Sequence, residues 1–330
     1  MLAPVEIAGI ASRVPARIVT NKEMEAFVET SDEWITKRTG IHTRHIAVEE
    51  TAIGMAAEAS AEALANAGID KDEIGLIIAC TITGENLTPA MASSVQKTLG
   101  IKSCASMDIS AGCTGFIYAM VSAASLMDTL GVDAAIVVAS ETLSKYMDWT
   151  DRTTCVLFGD GAGAVVLKRS DVARICHPVL DASPDTEEVI VIKKETRTTP
   201  FGPPADNRPE YLRMKGAEVF TYAVGAMEDT MRKLTTLCGD QPYTKIIPHQ
   251  ANEKIIDYVM RTMDLKSEQF FLNIGEYANT SSATIPIAMC DAYNAGWLRQ
   301  GDRIALVGFG SGLTCGGVVI DWTIPNKEEK

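Results

Sequence analysis

Among the eight cysteines of this 330-residue chain no two stand as CxxC, and none has the spacing of a zinc site. They lie scattered at positions 80, 104, 113, 155, 176, 238, 290 and 315, so neither a disulfide framework nor a metal cluster is expected. Reduced thiols in a cytosolic, cytoplasmic protein are the plain reading. Positive charge is scarce as well: 30 Lys and Arg against 43 Asp and Glu leave a formal net charge of −13. A chain that acidic is not expected to bind nucleic acid, and an acidic partner would need a local basic patch. No apolar run comes near the ~20 residues that span a bilayer, so membrane insertion is not expected. The start, Met1-Leu-Ala-Pro-Val-Glu-Ile-Ala-Gly-Ile10, has no basic n-region and reads as a first strand, not a signal peptide.

What is there is apolar content, 46% of residues against 22% charged, enough for one large α/β domain or two similar halves. Strand candidates cover 5–10, 74–80, 106–109, 134–139, 164–167, 188–192, 245–247, 303–307 and 317–320. Helices fit 51–67, 91–99, 113–129, 218–237, 252–263 and 281–295. This alternation predicts parallel or mixed sheets covered by helices. The two halves echo each other. Ala79 precedes Cys113 by 34 positions and Ile247 precedes Asn279 by 32. Each half then runs through another strand to a glycine-rich stretch, Gly159–Gly163 or Gly308–Gly317. The expected division is 1–170 and 171–330, with a site between the halves. Gly159-x-Gly161-x-Gly163 is no dinucleotide loop, because a strand and not a helix follows it. Its glycines are expected to permit close packing or a bulge. The proline-rich, charged stretch 181–210 reads as a long surface loop near the pocket mouth.

Three positions carry candidate chemistry. Cys113 follows Asp108-Ile109-Ser110-Ala111-Gly112 at a strand-to-helix elbow, and the apolar run 116–127 after it predicts a buried helix. A thiol at a helix N-terminus favours its thiolate, which suggests a nucleophile, although buried cysteine also serves as packing. His249 ends the strand over 245–247 and opens a helix, where α/β folds place chemistry; a turn histidine satisfied by local hydrogen bonds is the alternative. The other histidines read as ordinary: His42 and His45 on the surface beside Lys37, Arg38 and Arg44, and His177 in a turn before Pro178. Asn279, before Thr280-Ser281-Ser282, fits a functional amide or a helix cap.

Taken together, these motifs resemble the β-ketoacyl-acyl-carrier-protein synthase III family of condensing enzymes, in the thiolase-like superfamily. The resemblance runs from about Val5 to Ile320. It rests on the 30–41 segment around Trp34, the Cys113 elbow, Thr150-Asp-Arg152 with Phe158-Gly-Asp-Gly-Ala-Gly163, Pro248-His-Gln-Ala-Asn252, Gly275-Glu-Tyr-Ala-Asn279-Thr-Ser281 and the Gly308–Gly317 loop. It implies a thiolase-like α/β fold, two similar halves in an α-β-α-β-α stack. It also implies an acyltransferase that starts fatty-acid synthesis: acyl-CoA acylates Cys113, and decarboxylative condensation with malonyl-carrier protein follows.

By position in the family, His249 and Asn279 hold the malonyl thioester oxygen, and the backbone N–H groups of Cys113 and Ser311 hold the tetrahedral oxyanion. Trp34 and Arg152 flank the adenine of coenzyme A, with Arg38 and Asn252 as further contacts. Gln250, Ala251, Asn252, Glu253 and Lys254, with Arg261 on the same helix face, receive the carrier protein. Thr88 stands where a bulky residue from a neighbouring subunit often caps the acyl pocket, so longer or branched primers are expected. The resemblance implies a homodimer, with coenzyme A thioester as substrate and no metal or other cofactor. Asn279 points to this branch and away from elongating synthases, which use two histidines. Cys315 in the C-terminal glycine loop keeps a thiolase reading open, with packing its ordinary role. A ketosynthase or acyltransferase of secondary metabolism and a non-catalytic partner subunit are the other readings.

Overall fold

The computed structural model describes residues 4–172, 174–193, 200–201 and 210–326. Pro203, Pro204 and Pro209 of the expected loop, and the charged end of the chain after Asn326, lie outside the described residues. In chain order, β1 (Val5–Arg13) precedes a small antiparallel ribbon of β2 (Ile18–Thr20) and β3 (Thr43–His45). Then come β4 (Ile74–Cys80), β5 (Ala105–Ile109), β6 (Ala134–Thr142), β7 (Asp160–Arg169) and β8 (Ile175–Ala182). A second ribbon pairs β9 (Ile190–Val191) with β10 (Arg213–Met214), and β11 (Lys245–Pro248), β12 (Arg303–Gly310) and β13 (Thr314–Asp321) close the list. The helices are α1 (Asn21–Met24), α2 (Asp32–Thr39), α3 (Ala52–Ala67), α4 (Met91–Leu99), α5 (Gly115–Leu130), α6 (Gly216–Cys238), α7 (Glu253–Thr262), α8 (Ile274–Tyr277) and α9 (Thr284–Asn294).

Five strands form a sheet in the order β1-β7-β6-β4-β5, and four form another in the order β11-β12-β13-β8. Read from β1 and from β8, both sheets begin with two antiparallel pairings and continue in parallel. Side-chain alternation stacks them. In β4, Leu76, Ile78 and Cys80 face one core while Ile77 and Ala79 face another; in β12, Ile304 and Leu306 face inward and Ala305 and Val307 outward. Strands apolar on both faces must be covered on both sides. Helices α5 and α9 fill the space between the sheets, α3 and α4 cover the first, and α6 and α7 cover the second. The result is an α-β-α-β-α stack.

Local rules place the helices. Ser31 and Thr51 cap α2 and α3 by accepting from Trp34 N and Gly54 N. Gly40, Gly68, Gly100 and Gly131 end α2, α3, α4 and α5 in the left-handed conformation. The glycines at 159–163 do flank and enter a strand: a Cβ on Gly163 would lie 2.7 Å from Pro286 Cβ, so its absence lets α9 sit on β7.

Three expectations need correction. By length and composition the helical span Gly112–Leu130 would suffice to cross a bilayer, although no run was expected to come near that; most of it is core between the two sheets, with Asp128, Thr129 and Leu130 exposed at its end. His177 lies in β8 and not in a turn, at φ 55° where the pairing with β13 slips by a residue. Arg44 is fully buried and not part of a solvated basic stretch, with Nη2 donating to Val156 O at 2.9 Å.

Candidate active site

One cavity of about 280 Å³ opens where the two sheets meet the α2 segment and the β9–β10 ribbon. Cys113, His249 and Asn279 all line it, as do Trp34, Arg38, Arg152, Asn252 and Ser311.

Cys113 stands in a single 3-10 turn, Gly112–Thr114, and α5 begins only at Gly115. This corrects the expectation that the helix starts at the cysteine. The turn is pressed against the β12–β13 hairpin. A Cβ on Gly310 would lie 2.6 Å from Cys113 N, and one on Gly112 would lie 2.5 Å from Ser311 Oγ. The Thr114 and Thr314 hydroxyls meet at 2.7 Å behind it. Burial pushes the Cys113 thiol up to about 12, partly opposed by the Ser281 hydroxyl, which donates to Sγ at 3.4 Å. Desolvation by burial thus favours the protonated sulfur and opposes the thiolate expected at a helix terminus.

His249 follows β11 directly, its N–H donating to Val307 O at 2.7 Å and its ring set edge-on to Phe309 at 5.2 Å. Burial alone lowers its pKa to about 3, so the ring is neutral. Nδ1 lies 2.7 Å from Thr284 Oγ1, and the buried Nε2 has no hydrogen-bond partner among the described residues. The Thr284 hydroxyl also reaches Ser281 O at 3.1 Å and can donate to only one of the two. Donated to Nδ1, it leaves the ring hydrogen on Nε2, aimed into the cavity.

Asn279 is held by its backbone, which donates to Leu157 O and accepts from Gly159 N at 3.0 and 3.1 Å. Its Oδ1 accepts from Ser281 N at 2.8 Å, a local turn and not the cap of α9, which follows five residues later. With Oδ1 so engaged, the amide NH2 is the end left for a ligand. With the Thr284 hydroxyl donated to Nδ1, the arrangement offers two neutral N–H donors beside a thiol, suited to an oxygen that gains negative charge.

The remaining expected contacts divide. Trp34 sits in α2 with the guanidinium carbons of Arg152 and Arg38 4.9 and 5.1 Å from its ring centroid. Arg152 rests on Trp34 itself, so a base can enter between them only if Arg152 swings outward; it is exposed, with one bond to Glu29 O. Asn252 caps α7 through Lys254 N. Gln250 cannot meet a carrier protein: it is 1% exposed, and its Oε1 accepts from Asn273 N and Ile274 N, both at 2.8 Å. Ala251 lines the cavity, and Glu253 packs on the Gly40 turn. Lys254 and Arg261 line a second, shallower hollow with Tyr258 and Phe220, and Phe220 also lines the main cavity. Thr88 is exposed on a loop and does not line the cavity within this chain. Cys315 is half-buried beside Tyr222 and is not among the lining residues. Ile190, in the 181–210 stretch, and Met214 after it line the cavity.

Sequence reasoning missed Ser281 and Thr284, which contact the three central side chains. It also missed Glu141, a buried carboxylate that accepts from Thr81, Thr83, Ile82 N and Ser282 behind the same turn. Burial raises its pKa, and nothing in a lone Glu at a strand end signals such a network.

Residues 107–184 and 241–322 match the families described as 3-oxoacyl-[acyl-carrier-protein] synthase III and its C-terminal region. The chain is 40% identical over 323 residues to the β-ketoacyl-[acyl-carrier-protein] synthase III of Clostridium acetobutylicum, covering 97% of this chain and 99% of that one. It superposes on the 3-oxoacyl-[acyl-carrier-protein] synthase III of Aquifex aeolicus with a TM-score of 0.89 at 40% identity, covering 96% and 100% of the two chains. A priming β-ketosynthase of a polyketide pathway superposes with a TM-score of 0.90 at 30% identity, covering 98% of each.

Proposed function

This chain belongs to the β-ketoacyl-[acyl-carrier-protein] synthase III family, the condensing acyltransferases that initiate fatty-acid synthesis, and on that premise we propose how its cavity runs the reaction. Cys113 Sγ attacks the carbonyl of an acyl-CoA, the bond from that carbon to the coenzyme sulfur breaks, and the thiol proton leaves with the coenzyme as CoA–SH. A malonyl-carrier thioester then enters. Its carboxylate departs as CO2, and the electron pair moves onto the thioester as an enolate. His249 Nε2–H and the Asn279 amide hold the enolate oxygen. The enolate carbon attacks the acyl-Cys113 carbonyl, whose oxyanion is met by the N–H groups of Cys113 and Ser311. The carbon–sulfur bond breaks, the sulfur regains a proton, and 3-ketoacyl-carrier protein departs.

The observation that carries this reading is the unpartnered Nε2 of a neutral, buried imidazole in the same cavity as the Cys113 thiol and the Asn279 amide. Neutrality matters, because a donor that must hold an enolate oxygen should not hand a proton to the carbon. Coenzyme A serves as substrate, with Trp34 and Arg152 taking the adenine once Arg152 has swung out, and Arg38 and Asn252 nearby. The chemistry needs no metal or redox group.

The carrier protein docks at Ala251, Asn252, Glu253, Lys254 and Arg261. A homodimer is supported by β5, an unpaired sheet edge with Met107 exposed, and by Leu87, 64% exposed on the loop before Thr88. Eight unpaired cysteines suit the cytoplasm. Residues 1–170 and 171–330 are read as duplicated halves, a division the matching strand senses support. The second reading, a specialised ketosynthase, is favoured by the small Thr88 and by the likeness to a priming β-ketosynthase. Rates over acetyl-, isobutyryl- and hexanoyl-CoA separate the two, since a strict acetyl preference removes it. The reaction itself is tested by product: wild type should convert acyl-CoA and malonyl-carrier protein to 3-ketoacyl-carrier protein and CO2, and Cys113→Ala should not. Equal turnover by both would reject it.

A further inference from the structure

We propose that Ser281 is a positioning residue that sets Cys113, Asn279 and His249 in register, its hydroxyl steadying negative charge on the Cys113 sulfur. This rests on the reading of Cys113 as the acyl acceptor. Two hydrogen bonds and one close approach by this residue carry it. Ser281 Oγ donates to Cys113 Sγ at 3.4 Å. Ser281 N donates to Asn279 Oδ1 at 2.8 Å, which turns the amide NH2 toward the cavity. Ser281 O lies 3.1 Å from Thr284 Oγ1, the atom that meets His249 Nδ1 at 2.7 Å.

The backbone says that this geometry is held against local preference. Ser281 has φ 51°, in the left-handed region that residues other than glycine enter at a cost, and Ala278 just before Asn279 has φ 58°. Such strain persists where surrounding contacts over-determine the turn and clusters at functional sites. Here the anchor lies behind it: Ser282 Oγ donates to the buried Glu141 at 2.7 Å, and Glu141 is itself held by Thr83 at 2.6 Å. Glycine would take the same φ freely but would bring no hydroxyl to the sulfur, so conformation alone does not account for a serine.

The experiment compares wild type, Ser281→Ala and Ser281→Gly by the rate of Cys113 alkylation with iodoacetamide. Peptide mapping reads each site, and the half-buried Cys104 and Cys315 serve as internal clocks for folding. Losing the hydroxyl should strengthen the sulfur's hold on its proton by about one pH unit, a tenfold smaller thiolate fraction. The more basic thiolate is also the better nucleophile, which returns part of that and leaves alkylation about threefold slower. Both variants should show this drop while Cys104 and Cys315 react at wild-type rates, and loading of Cys113 from acyl-CoA should slow with it. A wild-type rate in Ser281→Ala with a changed rate only in Ser281→Gly would overturn the proposal, leaving Ser281 a backbone feature. Wild-type protein that takes no acyl group on Cys113 would defeat the condensing mechanism instead, which keeps the two failures distinct.

Discussion

Desolvation sets the chemical tone at Cys113 and His249: it keeps the sulfur protonated and the imidazole neutral. Two predictions follow at this scale. Asn279→Ala removes one enolate donor and leaves the thiol in place, so condensation should slow by about 10²–10³-fold while acylation of Cys113 persists, as rapid-mix kinetics of the two half-reactions would reveal. The second concerns acid. His249 titrates near 6.5 when unfolded and near 3 when folded, so between those values the unfolded chain binds the extra proton. The stability it contributes is present above pH 6.5 and lost as pH falls toward 3. In His249→Gln the unfolding free energy from urea titrations should fall less steeply over that window, by up to about 1.4 kcal/mol per pH unit; parallel slopes would show that the ring is not held neutral. Cys113 and His249 were legible in the sequence because each stands where a strand breaks into a short link, and Asn279 because it precedes the Thr280-Ser281-Ser282 start of a helix. Ser281 and Thr284 were not, since Ser and Thr before a helix look like caps whether or not they touch a cysteine. Gln250 was misread because the N–H groups that bury it come from Asn273 and Ile274, beyond the reach of local pattern.

The central elements are α5 and α9, each preceded by a 3-10 turn: Gly112–Thr114 holds Cys113, and Ser281–Ala283 stands just after Asn279. Their seat is close packing on sheets whose glycines leave room. Gly163→Ala should drive its new methyl into Pro286, 2.7 Å away, and cost about 1–3 kcal/mol by displacing α9. Denaturant unfolding would measure it, and an unchanged midpoint would mean that the α9 contact yields without cost. The long apolar strands were readable because they are buried on both faces and bounded by turns. Strand β8 was hidden by Pro178 and by the slip at His177. Helix α2 was hidden by its polarity: Asp32, Glu33, Lys37 and Arg38 face water, and only Ile35 and Thr39 are buried. Since α2 carries Trp34, the proposed adenine contact could be placed only by resemblance.

Across the whole molecule, two sheets with the same sequence of strand senses bring Cys113 from one and His249 from the other to a shared cavity. On a chain of net charge −13, the landing site proposed for an acidic carrier is the hollow that Lys254 and Arg261 line together with Asp257 and Asp264. Lys254→Glu should weaken turnover with malonyl-carrier protein most at low salt, with the difference shrinking as ionic strength rises, because exposed charges are screened beyond about 10 Å at 0.1 M salt. Equal salt profiles for the two proteins would place the carrier elsewhere. The repeat was visible in the spacing of strands and glycines, whereas the cover each sheet receives depends on long-range packing that no local pattern encodes.

Whether the sulfur of residue 113 bears the primer is best decided by mass. The protein is mixed with acetyl-CoA, its intact mass is compared before and after, and the modified peptide is sequenced. One acetyl group per chain on Cys113, discharged when malonyl-carrier protein is added, is the predicted result. An unmodified chain, or an acetyl group on any other cysteine, would contradict the mechanism.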